Sequence, residues 1–166
     1  ENIEIIVIDD VSTDNTVEIC QKYAEKDSRI SVYIQENCGL SCTRNRGLER
    51  ASGKYVYYMD SDDILEPDAL EAVSERMEKD SLDLLFFDAV SFTDERCEDM
   101  ELYNDYYMRK HDYDSVYSGT ELLNIMLKND EFRSSACLQI ARRDFLTDNN
   151  LTFFEGILHE DNLYTF

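Results

Sequence analysis

Asp60, Asp62 and Asp63 fall within four residues, at the end of the aromatic run in "KYVYYMDSDDILEPD". Three carboxylates this close repel one another, so a cation is their natural counterpart. Hard oxygen ligands grouped in this way suit Mg2+ or Mn2+, which bind through one or two carboxylates plus substrate phosphates. A second acidic pair, Asp9 and Asp10, ends the β-branched run "IEIIVIDD", and a third, Glu160 and Asp161, follows His159. Both pairs have a plainer reading. Asp9 and Asp10 can serve as turn and cap acids, and Glu160 and Asp161 as helix-start acids that complement the dipole. The cluster at 60–63 exceeds what one cap can use. The chain contains neither G-x-x-x-x-G-K-[ST] nor G-x-G-x-x-G. That points away from P-loop enzymes and dinucleotide dehydrogenases, and leaves metal-mediated handling of a nucleotide diphosphate.

The elements that must carry these acids can be read from periodicity. Residues 3–10 form a continuous β-branched run, expected to be a strand buried on both faces of a parallel sheet. A helix should follow Asn15, with Glu18 completing a capping pair, and residues 29–36 alternate as a strand. A helix from about Ser41 is expected to stop at Gly53. Residues 55–60 then read as a strand, and Pro67 as part of a first helical turn whose apolar face continues through Leu70, Val73 and Met77. Residues 82–90 read as a fourth strand. This alternation implies an α/β layered fold with a mostly parallel sheet. Parallel strands would bring Asp9–Asp10 and the 60–63 cluster to one edge, where ligands bind in such sheets. Beyond residue 90 the pattern loosens. Residues 91–117 are acidic and aperiodic, "GTELLNIMLKND" is helical, and "SSACLQIARRDFL" reads as a strand entering a short helix. The last stretch reads as a short strand, a loop and a helix from near Glu160.

Composition narrows the partners. With 37 acidic against 16 basic residues and a net charge of −21, the chain repels nucleic acid and anionic membrane surfaces. Most of these acids are expected to be solvated surface. A phosphorylated ligand would need a divalent cation as mediator. The 166 residues suffice for one domain with a real core. The five cysteines, Cys20, Cys38, Cys42, Cys97 and Cys137, are scattered, and the C-x3-C at 38–42 has no second pair. Free thiols in a reducing cytosol are therefore expected, and a structural zinc site is not. No apolar run nears the roughly 20 residues of a membrane span, and no signal peptide is visible. The chain starts at Glu1, is soon in a strand, and stops at Phe166 within a helical pattern, as a piece of a longer protein would.

"IEIIVIDDVSTDNT", "NCGLSCTRNRGLERASGKYVYYMDSDDILEPDAL" and "EGILHEDNLYTF" together resemble the family 2 glycosyltransferases, densely over 1–90 and again over 153–166. The resemblance implies the GT-A fold, a Rossmann-like mostly parallel sheet flanked by helices. Residues 1–90 would be the nucleotide-binding half and 91–166 a less regular acceptor-side half. It further implies a metal-dependent, inverting transfer of a sugar from a nucleotide-diphospho-sugar, UDP-linked, to a carbohydrate or lipid-linked acceptor. "DSDD" is similar to the family's D-x-D motif, which implies Asp60 and Asp62 at the ribose, diphosphate and Mn2+ or Mg2+, with Asp62 the direct ligand and Asp63 in support. Asp10 matches the acid that meets the uracil ring, with Asp9 beside it, and Arg44 a position that helps hold the nucleotide or its phosphates. "HED" resembles the motif that supplies the catalytic base, which makes Asp161 the base and Glu160 its neighbour. Action on a surface polysaccharide precursor would place the protein in the cytoplasm, at the inner face of the membrane through peripheral association.

Two departures qualify the resemblance. The family's "DDGS" is here Asp9-Asp10-Val11-Ser12, and a Val argues against positive φ at that turn. The family's opening strand and helix are absent from the sequence, leaving an open sheet position beside residues 3–10 and a weaker nucleotide site. A truncated or non-catalytic module with the same fold is one alternative. A phospho-receiver signalling domain is another; it shares the acid pair after one strand and the Asp after a later one. That reading leaves "SDD" and "HED" unexplained and lacks the required later strand ending in Lys.

Overall fold

The structure, a computed structural model, describes residues 2–92 and 106–165. The central part of the expected irregular stretch, with Cys97, lies outside the described residues. The apolar opening run forms β1 (Ile5–Asp9), which pairs in parallel with β2 (Ile30–Ile34), from Ile5 opposite Ile30 to Asp9 opposite Ile34. The strand is shorter than its apolar run because these residues alone have partners. It is also less buried than expected. Helix α1 (Thr16–Ala24) packs on β2 and α2 (Gly39–Arg50) on β1, yet Ile3 and Ile5 stay exposed. Among the described residues no strand lies on the other edge of β1.

The second sheet draws on distant parts of the chain. β3 (Tyr55–Tyr57) and β4 (Leu84–Phe86) flank β5 (Gln139–Arg142), which is antiparallel to both, so β3 and β4 run the same way. A short 3-10 turn, Ala136–Leu138, leads into β5, and α5 (Arg143–Asp148) follows it. Strand and helix alternate as read up to β4, with α3 (Ala69–Asp80) between β3 and β4; α4 (Gly119–Lys128) precedes β5, and α6 (Glu160–Tyr164) follows α5 with no strand between them. Leu48 of α2, Val56 of β3, Ala141 of β5 and Leu146 of α5 form a buried cluster under Tyr58, Leu84, Phe145 and Tyr164. Truncating Leu146 to Ala there should cost about 2–5 kcal/mol.

Several local expectations are corrected. Asn15 sits at the N-cap of α1 without a side-chain cap bond, its backbone at φ −84° and ψ 14° instead of the extended conformation that capping uses, while Asp14 accepts the Thr16 N–H at 2.9 Å. Pro67 precedes α3 in a turn instead of opening its first turn. Helix α2 ends at Arg50, and the Gly53 N–H donates to the Glu4 carboxylate at 2.6 Å. Residues 151–155 form no strand; Phe153 turns inward instead and is 2% exposed. Helix α4 starts with a full capping box, Ser118 and Glu121 each bonding the other's backbone N–H. No helix among the described residues is long and apolar enough to cross a membrane.

Candidate functional site

The residue after β1, Asp10, meets the start of α2. Its Oδ1 accepts hydrogen bonds from Gln35 Nε2 at 2.8 Å and the Cys38 N–H at 2.9 Å, and its Oδ2 accepts one from the Gly39 N–H at 2.9 Å. The Gln35 bond first, then the Cys38 N–H, hold the Asp10 carboxyl below the usual carboxylate range. Asp9 has a different task. It is buried, and its carboxylate accepts the Ser12 N–H at 3.1 Å, so it shapes the turn. That turn contradicts a further local reading. Val11 adopts φ 72°, although a β-branched residue there is strained. The Asp9 turn bond and a side chain left 51% exposed make the conformation tolerable.

The expectation of free thiols fails at the same place. Cys38 and Cys42 are joined by a disulfide across the first turn of α2, with Cα atoms 5.7 Å apart. Helical geometry puts residues four apart on one face, which brings two side chains of a C-x3-C together. Among the described residues Cys20 and Cys137 remain free.

Helix α2 then leads to the acids. Its buried face consists of Ser41, Cys42, Arg44 and Leu48, and Arg44 is only 7% exposed. Its Nη1 donates to Glu160 Oε1 at 2.9 Å and Asp161 Oδ1 at 2.7 Å, and its Nη2 to Asp60 Oδ1 at 3.0 Å. The guanidinium lies 5.1 Å from the centre of the Phe153 ring, which stacks on Tyr164 at 3.8 Å and meets Tyr58 edge-on at 5.2 Å. Burial works against the charge of Arg44, but Asp161 and Asp60 more than offset it and raise its pKa. Burial pushes the Asp161 carboxyl up; Arg44 pulls it back only in part, and Glu160 adds to the rise. A half-buried carboxyl with raised proton affinity beside a reactive cluster fits a general base.

Asp60 stands 46% exposed at the start of the turn that also holds Asp63, whose N–H donates to the Asp60 carbonyl at 3.2 Å. Beneath them lies Cys137, buried, with its thiol pushed up to about 12 by burial and by Asp60. Asp60, Asp63 and Cys137 offer ligand atoms that all lie within 4.8 Å of one another. Burial, then Asp60 and Asp62, raise the Asp63 carboxyl, the sign of a cluster that a cation would relieve. The donor set fits a divalent cation. Its two carboxylates suit Mg2+ or Mn2+, while the thiol favours the softer end of that range. Asp62 is exposed and lies outside this group.

The structure therefore gathers Asp60, Glu160 and Asp161 around the Arg44 guanidinium, and Asp10 is bound at the first turn of the same helix. Arg44 lies five residue steps along the helix from Gly39, about 8 Å along its axis. Gln35 and Cys137 were not singled out as site residues. Gln35 could have been found from strand register, because Asp9 lies opposite Ile34 and places the next residues side by side. Cys137 gave no local signal.

The chain belongs to glycosyl transferase family 2, whose family model matches residues 1–148. Among proteins of known sequence it is 34% identical over 163 residues to the uncharacterized glycosyltransferase YibD of Escherichia coli, covering 98% of this chain and 46% of that one. It is 49% identical over 75 residues to the putative teichuronic acid biosynthesis glycosyltransferase TuaG of Bacillus subtilis, covering 45% of this chain and 30% of that one. Among solved structures, S. aureus TarS 1–349 in complex with UDP-GlcNAc superimposes with a TM-score of 0.74 at 28% identity, over 98% of this chain and 43% of that one. The fold is thus that of the GT-A glycosyltransferases. The chain spans less than half the length of each of these relatives.

Proposed function

We propose that this chain forms the donor-binding and catalytic part of an inverting glycosyltransferase. It moves a sugar from a UDP-linked donor to a carbohydrate or lipid-linked acceptor. The observation that carries this reading is the shared guanidinium of Arg44, which brings the D-x-D acid Asp60 and the base candidate Asp161 together from distant parts of the chain. That TarS was solved with UDP-GlcNAc supports a nucleotide-sugar donor.

In this reading Asp10 offers its remaining acceptor direction to the uracil imide. Asp60 and Asp63, with Asp62 on the rim, hold Mn2+ or Mg2+ and the diphosphate, and Asp9 keeps the uracil loop in shape. When bound, the cation supplies Lewis-acid stabilisation of charge on the departing diphosphate. Asp161 accepts the proton of the acceptor hydroxyl as that oxygen bonds to the anomeric carbon and the bond from that carbon to the diphosphate breaks. Glu160 and Arg44 flank it. A lipid-linked acceptor would bring the protein to the cytoplasmic face of the membrane. At a net charge of −21 it would dock there through a partner or another segment, not through anionic lipid.

Calorimetric titration with UDP, with and without Mn2+, tests this on the wild type, Asp62→Asn and Asp63→Asn. Binding that requires Mn2+ and weakens in at least one variant is expected. Folded protein that binds no UDP in either condition would leave a non-catalytic module with the same fold.

A further inference from the structure

We infer that Arg44 is the positioning residue for the base carboxylate of Asp161, and not primarily a ligand for the donor's phosphates. The inference rests on the transferase reading above and specifies how its base is held. Both terminal nitrogens of Arg44 are already committed to carboxylates: Nη1 to Glu160 and Asp161, Nη2 to Asp60. A phosphate approaching the remaining guanidinium N–H groups would meet three carboxylates whose charge repels it. Of these partners Asp60 is the most exposed, at 46%, so it is the one a ligand can draw away. The contacts to Glu160 and Asp161 lie deeper and would persist.

The surroundings fix the guanidinium before any substrate arrives. Arg44 projects from the buried face of α2, between Ser41 and Leu48, and rests on the wall of Phe153. Phe153 in turn stacks on Tyr164, which belongs to α6 along with both acids. Helix α6 needs this hold. It has five residues, no side-chain cap and an N-cap residue, His159, at φ 59°. A helix of that length has little stability of its own. Two neighbouring acids at its start, facing a third at Asp60, would separate without a cation among them. The guanidinium fork is planar and always charged, so it sets direction as well as distance; a lysine ammonium would supply only the charge.

The test uses the full-length protein, with UDP affinity by calorimetry in Mn2+ and UDP release from UDP-GlcNAc, UDP-glucose and UDP-galactose with water as acceptor. Arg44→Gln and the milder Arg44→Lys are compared with Asp161→Asn and with the Arg44→Gln/Asp161→Asn double variant. Thermal melts confirm that each is folded. For Arg44→Gln the expected result is a kcat lowered about 100-fold or more, the scale of a general base. UDP affinity and KM should stay within about threefold of wild type. Arg44→Lys should fold and recover only part of kcat. In the Asp161→Asn background Arg44→Gln should cost almost nothing further, because it acts through that carboxylate. A fall in UDP affinity of about tenfold or more with kcat preserved would make Arg44 a phosphate ligand and overturn the inference. Additive losses in the double variant, or an unchanged kcat, would overturn it as well. If wild type neither binds UDP nor releases it from any donor, the transferase reading itself fails, and the positioning role falls with it.

Discussion

Replacing Asp10 with Asn tests the uracil end of the site with the smallest change of shape. An ionised carboxylate has about four acceptor directions. Gln35 Nε2, the Cys38 N–H and the Gly39 N–H occupy three of them, which leaves one on Oδ2. In Asn one oxygen becomes an NH2. If Oδ1 is kept for Gln35 and Cys38, the amide nitrogen faces the Gly39 N–H, donor against donor. The opposite flip sets it against two donors. Hydrogen bonds to a charged group are worth about 1.5–3 kcal/mol, and partial exposure of Asp10 reduces this, so a stability loss of about 1–2 kcal/mol is expected at pH 7.

The same change removes the acceptor offered to a uracil imide. One charge-assisted bond corresponds to about 10–150-fold in UDP affinity. Cytosine carries an acceptor where uracil carries that N–H, so CDP should bind wild type more weakly than UDP, and Asp10→Asn should erase or invert the preference. Calorimetry with both nucleotides and a urea melt of each protein measures all of this. A folded Asp10→Asn protein with the wild-type UDP-to-CDP ratio would refute the assignment of Asp10 to the base. The pH dependence has a definite sign. Asp10 titrates below its ordinary value of 3.8 in the folded protein. Its contribution is therefore full above that value and is lost as pH falls through the lowered one. The stability gap between wild type and variant should hold from neutral pH to near 4 and close below it.

Asp161→Asn in the full-length protein should keep UDP affinity and lose transfer by about 100-fold or more, read as UDP release in the presence of acceptor; normal transfer would remove Asp161 as the base. Cys42→Ser should lower stability by about 2 kcal/mol at most, the chain-entropy value for so short a loop, and urea melts without reductant measure it. Alkylation of the folded, unreduced protein should modify Cys20 and spare Cys38, Cys42 and the buried Cys137, as read by peptide mass spectrometry. The buried Glu131 accepts bonds from Tyr113 Oη at 2.6 Å, the Lys110 N–H at 2.6 Å and His111 Nδ1 at 3.0 Å. Tyr113 foremost lowers its carboxyl to about 2. Its stabilisation is present above the ordinary glutamate value and lost as pH falls toward about 2. Glu131→Gln should therefore be less stable than wild type at pH 7, and the difference in urea midpoint should shrink steadily below about 4.5.

Local physics made the elements and the acids readable. β-branched runs, helical spacing and turn residues are properties of neighbours in the chain, so β1, α2, α4 and α6 emerged close to where they lie. The acids at 9–10, 60–63 and 160–161 stood out because like charges rarely cluster without a reason. What periodicity could not supply was pairing. Residues 139–142 read as a strand, but only tertiary packing put that strand antiparallel between β3 and β4.

The site divides along the same line. The types of its residues are legible in the sequence: an acid pair after the first strand, an acidic turn after the third, and an acid pair near the end of the chain. Their arrangement belongs to the folded chain. Arg44 meets Glu160 and Asp161 across separations of 116 and 117 residues, and Asp60 across 16. Cys137 comes under the acidic turn only because β5 delivers it there. Val11 takes a strained φ because the Asp9 turn bond outweighs a preference that holds in isolation. Contacts between residues so far apart are chosen by the burial of the whole core, and no short window of sequence carries that free energy.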